Sequence, residues 1–125
     1  MMLLILHLFG DYVLQTDRMA TEKTSQSRMA LLHAMVYSFP FLIVLDLNIA
    51  AFLTIFLSHA VIDRYRLARY VVFAKNKCHD PQLQWEDCRA TGFHKSRPEW
   101  LAVWLLIIVD NTLHLTINYL AVSYL

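Results

Sequence analysis

Apolar residues in this chain gather into four runs, Met1–Gln15, Met29–Leu45, Leu47–Ile62 and Trp100–Leu125, separated by polar connections. Lys, Arg, Asp and Glu are missing from Met29–Leu45 and from Leu47–Ile62, where His59 is the one ionisable group, and Trp100–Leu125 has only Asp110 and His114. A helix crossing a bilayer core needs about 20 predominantly apolar residues. The second and third runs reach that length with their flanks, and the fourth exceeds it. The first is short for a span. No basic residue precedes it and no small-x-small cleavage site follows, so it is expected as a retained, tilted helix and not as a leader. The pattern predicts an all-α polytopic membrane protein: one membrane-embedded domain over residues 1–125, built as a four-helix transmembrane bundle with a polar cytoplasmic loop between helices three and four. The competing expectation is a soluble helical bundle with a very apolar core.

Composition strengthens the membrane expectation. The apolar fraction is 58%, against about 45–50% in ordinary soluble domains. A net charge of +1 gives no overall pull toward nucleic acid. The distribution of the eleven Lys and Arg is more informative. Arg18, Lys23 and Arg28 lie in the connection Thr16–Arg28, the other eight lie in Arg64–Pro98, and the Asp46–Asn48 turn has none. The positive-inside rule then places the first and third connections in the cytoplasm, with both termini and the Asp46 turn on the other side. Trp100 and Trp104 suit an interfacial aromatic belt. A bacterial-type inner membrane is the expected location, with membrane lipids as partners.

The third connection contains Pro81, Gly92 and Pro98, which break helices. It also holds both cysteines, Cys78 and Cys88, near His79 and His94. Their spacing matches no paired-CxxC zinc pattern, so ordinary reduced loop cysteines are expected.

Candidate chemistry resides in the apolar runs themselves. Four of the six histidines, His7, His33, His59 and His114, and three aspartates, Asp11, Asp63 and Asp110, lie within or at the edge of them. Three pairs share one spacing: "HLFGD" (His7, Asp11), "HAVID" (His59, Asp63) and "DNTLH" (Asp110, His114). Residues four apart share a helix face, with Cβ atoms about 5–6 Å from each other. A carboxylate at mid-membrane costs on the order of 2.5–3.5 kcal/mol, and no Lys or Arg lies inside the runs to neutralise it. A bound cation is the expected partner. Seven ligands exceed one tetrahedral site of about four. Two divalent ions, three aspartates and a hydroxide sum to a neutral site, with one aspartate bridging. Mixed imidazole and carboxylate ligands suit Zn, Mn or Fe. Depth fits less well, because Asp110 stands ten residues past Trp100, roughly 15 Å further along a helix.

Around these ligands, Gln15, Tyr37, Asn111 and Asn118 are candidates for orienting them. Tyr37 follows His33 by four and Asn118 follows His114 by four. Arg64, Arg66 and Arg69 in "DRYRLARY" could hold a phosphate or lipid headgroup, or serve only as a positive-inside anchor.

The segments "HLFGDYVLQTD", "LLHAMVY", "HAVIDRYRLARY" and "WLLIIVDNTLHLTINYL" resemble a family of small membrane proteins of bacteria and their phages, catalogued as domain of unknown function 3307. The resemblance covers nearly the whole chain and supplies no activity. A looser likeness, in residue types only, is to membrane-bound metal-dependent hydrolases. It implies a membrane-embedded hydrolase with a His/Asp di-metal site, acting on a lipid or other phosphoester at the cytoplasmic leaflet. Alternatives are a metal or proton pathway, for which four short helices are small unless a homo-oligomer forms, and a non-enzymatic phage-type membrane effector.

Overall fold

The computed structural model describes all 125 residues. They form six α-helices: α1 (Met2–Leu8), α2 (Asp17–Glu22), α3 (Ser27–Leu45), α4 (Ile49–Tyr65), α5 (Leu67–His79) and α6 (Glu99–Tyr124). A π-helical turn, Phe9–Val13, continues α1, and a 3₁₀ turn covers Trp85–Asp87. The chain divides into two compact units: Met1–Tyr65 with His114–Leu125, and Arg66–Leu113.

The all-α expectation holds, but the four-helix transmembrane bundle does not. Only α3 and α6 are long and apolar enough to cross a membrane. The first apolar helix, Met2–Val13, would extend only about 18 Å, and α4, with 17 residues, about 26 Å, against a core of about 30 Å. Hydropathy had merged α4 with flanks that it does not contain. Its start is fixed by Asn48, whose Oδ1 accepts the Ala51 N–H at 3.0 Å, and its end by Arg66, held at φ 53. Of their most apolar stretches, 33% is buried within the chain on α3 and 11% on α6.

The first unit is polar inside and apolar outside over much of its length. On α3 the buried positions are Ala30, His33, Ala34, Tyr37, Ser38 and Phe41, a repeat of three and four that follows the helical period. Leu31, Leu32, Met35, Phe39 and Ile43 point outward. On α4 the buried set includes Ile55, His59, Ile62 and Asp63, while Leu53, Leu57 and Val61 are exposed. One end of the unit has an apolar core of Leu6, Tyr37, Phe41, Ile55 and Ala121. The Asp46–Asn48 turn closes that end: Asp46 takes the left-handed conformation (φ 49), and the Asn48 amide donates to the Leu125 carbonyl.

Close approach of α3 to the first helix depends on Gly10. A Cβ there would lie 2.5 Å from Tyr37 Cδ2 and 3.2 Å from Tyr37 Cα. The π turn brings Gly10 and Asp11 inward and leaves Phe9, Tyr12 and Val13 outside.

In the second unit, part of the expected polar loop is helical as α5, and the rest folds onto it. Arg66 donates to the Ala90 carbonyl at 2.9 Å, Arg69 to the Arg89 carbonyl at 3.0 Å, and Asn76 to the Gly92 carbonyl at 3.3 Å. Gly92 sits at φ +83, with an added Cβ 2.2 Å from the Arg69 carbonyl, so no side chain fits there. Trp85 stacks on Tyr70, ring centroids 4.8 Å apart, and Arg69 lies over both rings. Cys88 is buried and Cys78 is exposed. Lys95, 2.7 Å from Asp87, holds that carboxyl below its ordinary pKa. Burial, and then the Asp87 charge, push the Cys88 thiol above its usual value.

Two outcomes are expected. Gly10→Ala should destabilise the protein by about 1–3 kcal/mol through overpacking against Tyr37, read as a lowered midpoint of unfolding in detergent. A maleimide should label Cys78 within minutes and leave Cys88 unmodified until denaturant is added. Equal labelling of both in the folded protein would contradict the burial of Cys88.

Candidate metal centre

Three segments deliver four donor atoms to one point in the first unit: Asp11 from the π turn, His33 from α3, and His59 and Asp63 from successive turns of α4. All four residues are buried, and their ligand atoms lie within 4.8 Å of one another. His33 Nε2 and His59 Nε2 are 2.9 Å apart. Asp11 Oδ1 lies 3.1 Å from His33 Nε2 and 3.4 Å from His59 Nε2. Asp63 Oδ2 lies 3.2 Å from each of the same nitrogens. Donors held at about 2.0–2.1 Å by a four-coordinate ion stand about 3.3–3.4 Å from one another. Five of the six edges match that figure within a few tenths of an ångström, so this group could hold a metal ion.

Each carboxylate faces two ways. Asp11 turns Oδ1 to the cluster and Oδ2 toward His7 Nδ1 at 3.4 Å. Asp63 turns Oδ2 to the cluster and Oδ1 toward His114 Nε2 at 3.3 Å. His7 therefore stands behind Asp11, and His114 behind Asp63. On α6, which starts at Glu99, His114 stands fifteen residues on, about 22 Å along the axis, so no earlier start of this helix relieves the depth expected of it. Asp110 precedes His114 by one turn on that helix and is partly buried, as is the adjacent Asn111.

A hydrogen-bonded layer separates the cluster from the apolar core. Tyr37 stacks on His59 with ring centroids 3.7 Å apart. Its Oη accepts from Asn118 Nδ2 at 2.6 Å and lies 2.8 Å from His7 Nδ1. Tyr37, expected beside His33, thus meets His7 and His59, and Asn118, expected beside His114, bonds to Tyr37. Gln15 is half-buried, and its Oε1 has no hydrogen-bond partner. The Nδ1 atoms of His33 and His59 are buried without partners too. No hydrogen bond therefore holds these two rings at Nδ1, in contrast to the usual pattern at metal-bound histidines.

Sequence reasoning missed Lys23. Its Nζ is 2.8 Å from Asp63 Oδ2 and 3.3 Å from His33 Nε2. It acts from the turn after α2, outside every apolar run, where no periodicity marks it. The arginines of "DRYRLARY" are occupied by the backbone. Arg64 donates to the Thr24 carbonyl at 2.6 Å and to Ser27 Oγ at 3.2 Å, and Arg66 and Arg69 bind the loop carbonyls described above. The cysteines contribute to neither group of His, Cys, Asp or Glu side chains close enough for a shared ion.

The family described as "protein of unknown function (DUF3307)" matches residues 1–124. No curated protein and no solved structure matches the chain.

Tyr37→Phe should keep the stack on His59 while leaving the Asn118 amide without its acceptor. A stability loss of about 1–3 kcal/mol is expected, measured by denaturation in detergent. Unchanged stability would show that the phenol oxygen does not support this layer.

Proposed function

The chain belongs to the DUF3307 family, whose description carries no activity, and from its own residues we propose a membrane-held, metal-dependent hydrolase of phosphoesters. The observation that supports this reading most directly is the near-tetrahedral set of Asp11, His33, His59 and Asp63 donors. Two carboxylates so deeply buried are costly without a counter-charge, and a divalent ion balances both. Such an ion would polarise a phosphoryl oxygen and lower the pKa of a bound water to near neutrality. Hydrolysis then adds water across the ester, breaking one P–O bond and leaving a phosphate acid and an alcohol. Zinc held by all four donors would be coordinatively closed. Manganese or iron, which take more ligands, would leave room for water and substrate.

Asp63 is the natural bridging carboxylate for a second ion, because Oδ1 turns away from the first cluster toward His114. The membrane reading rests on the outward leucines and aromatics of α3 and α6. In an inner membrane, the Thr16–Arg28 connection would face the cytoplasm by the positive-inside rule. The cluster lies at that end of α3, since His33 is in its second turn. A headgroup or other phosphoester on the cytoplasmic side would reach it first.

Elemental analysis of detergent-purified protein tests the proposal. The wild type should retain a divalent metal after dialysis, and a His59→Ala/Asp63→Ala double variant should lose more than about 100-fold in affinity. Hydrolysis of a chromogenic phosphodiester should fall with it. Wild-type protein that takes up no Zn, Mn or Fe when supplied with each would remove this function.

A further inference from the structure

Lys23 has a place in the cluster that a buried counter-ion alone does not explain. It is the most accessible member, with 18% of its side chain exposed, against 9% for Asp11, 4% for Asp63, 1% for His59 and 0% for His33. It therefore stands at the mouth, and the four donors lie beneath it. Its distances to Asp63 Oδ2 and His33 Nε2, 2.8 and 3.3 Å, are those that separate the donors from one another. The ammonium therefore stands at a further corner beside two of the donors, and it already holds the Asp63 oxygen that an entering cation would need.

The backbone beneath Lys23 is fixed. Its N–H bonds to the Met19 carbonyl at 3.0 Å, and the Ser25 and Gln26 N–H groups bond to the Glu22 carbonyl at 3.0 and 2.8 Å. Arg64 from α4 clamps the next residue through the Thr24 carbonyl. Only the four-carbon stem is free to turn, and a lysine stem turns readily. Charge counting then gives a direction. Asp11 and Asp63 with one divalent ion sum to zero. Lys23 is then left with one uncompensated positive charge.

Building on the metal reading, we propose that Lys23 is the anion-binding arm of this site. It neutralises Asp63 until a divalent ion enters, is displaced to the mouth, and there holds one singly charged anionic group beside the loaded centre. The substrate class this selects is the phosphodiester, a monoanion, over the doubly charged phosphomonoester and over neutral esters.

Manganese titration of wild type and Lys23→Met in detergent, followed by dimethyl phosphate binding to each loaded protein, is the test. Lys23→Met should bind manganese about tenfold more tightly and dimethyl phosphate at least about tenfold more weakly. Equal manganese affinity in the two proteins, or weaker binding in the variant, would overturn displacement while leaving the metal reading intact. Unchanged dimethyl phosphate affinity would overturn the anion-binding role. No manganese binding by either protein would overturn this proposal, and the metal reading falls with it if zinc and iron are refused as well. Wild-type protein supplies a check that does not depend on the variant folding. Acetylation of Lys23 by an amine-reactive ester, read by mass spectrometry, should speed up several-fold when manganese is added, and an unchanged rate would overturn the displacement.

Discussion

Asp63 is the group on which the first unit turns. Its two oxygens face His33, His59 and Lys23 on one side and His114 on the other. It thereby joins α3, α4, the end of α6 and the turn after α2 at a single buried carboxylate. A buried charge tolerates only a few arrangements around it, because each neighbour must offer a proton, a positive charge or a cation. The helices are arranged by that demand at one end of the unit and by ordinary apolar contact at the other. Tyr37 joins the two, packing against Phe41 and Ile55 in the core while its hydroxyl serves Asn118 and His7.

Much of this was legible in the primary structure, for a definite reason. The His59/Asp63 and His7/Asp11 spacings hold on a helix and nearly so through a π turn, so side chains expected to share a face do share one. The left-handed Asp46 turn was marked by a break between apolar runs. The number of crossing helices was not legible, because hydropathy measures composition and does not see where Asn48 and Arg66 end a helix. Lys23 was invisible for a related reason: a turn residue has no period, and only the tertiary fold carries its ammonium to Asp63. The arginines after Asp63 read as anion ligands by charge alone, whereas carbonyl oxygens of the chain itself absorb their donors.

Polarity is distributed unevenly in this unit. Imidazoles, carboxylates and a phenol are buried together at one end, apolar side chains fill the other, and many leucines, phenylalanines and valines are exposed. In water such an exterior gains nothing from exposure. In an apolar surrounding, which α3 and α6 are long and apolar enough to enter, it would cost little, and the interior polar network would supply cohesion that apolar contact between helices does not.

The π turn at Phe9–Val13 has a consequence for how this chain can vary. It accommodates one residue more than α-helical winding would over the same rise. Loss of that extra residue would restore regular winding with the flanking turns still in register, and the local widening that brings Gly10 and Asp11 inward would be lost. A deletion confined to Phe9–Val13 would therefore act on Asp11, and through it on the buried cluster, while sparing the outward side chains of the segment.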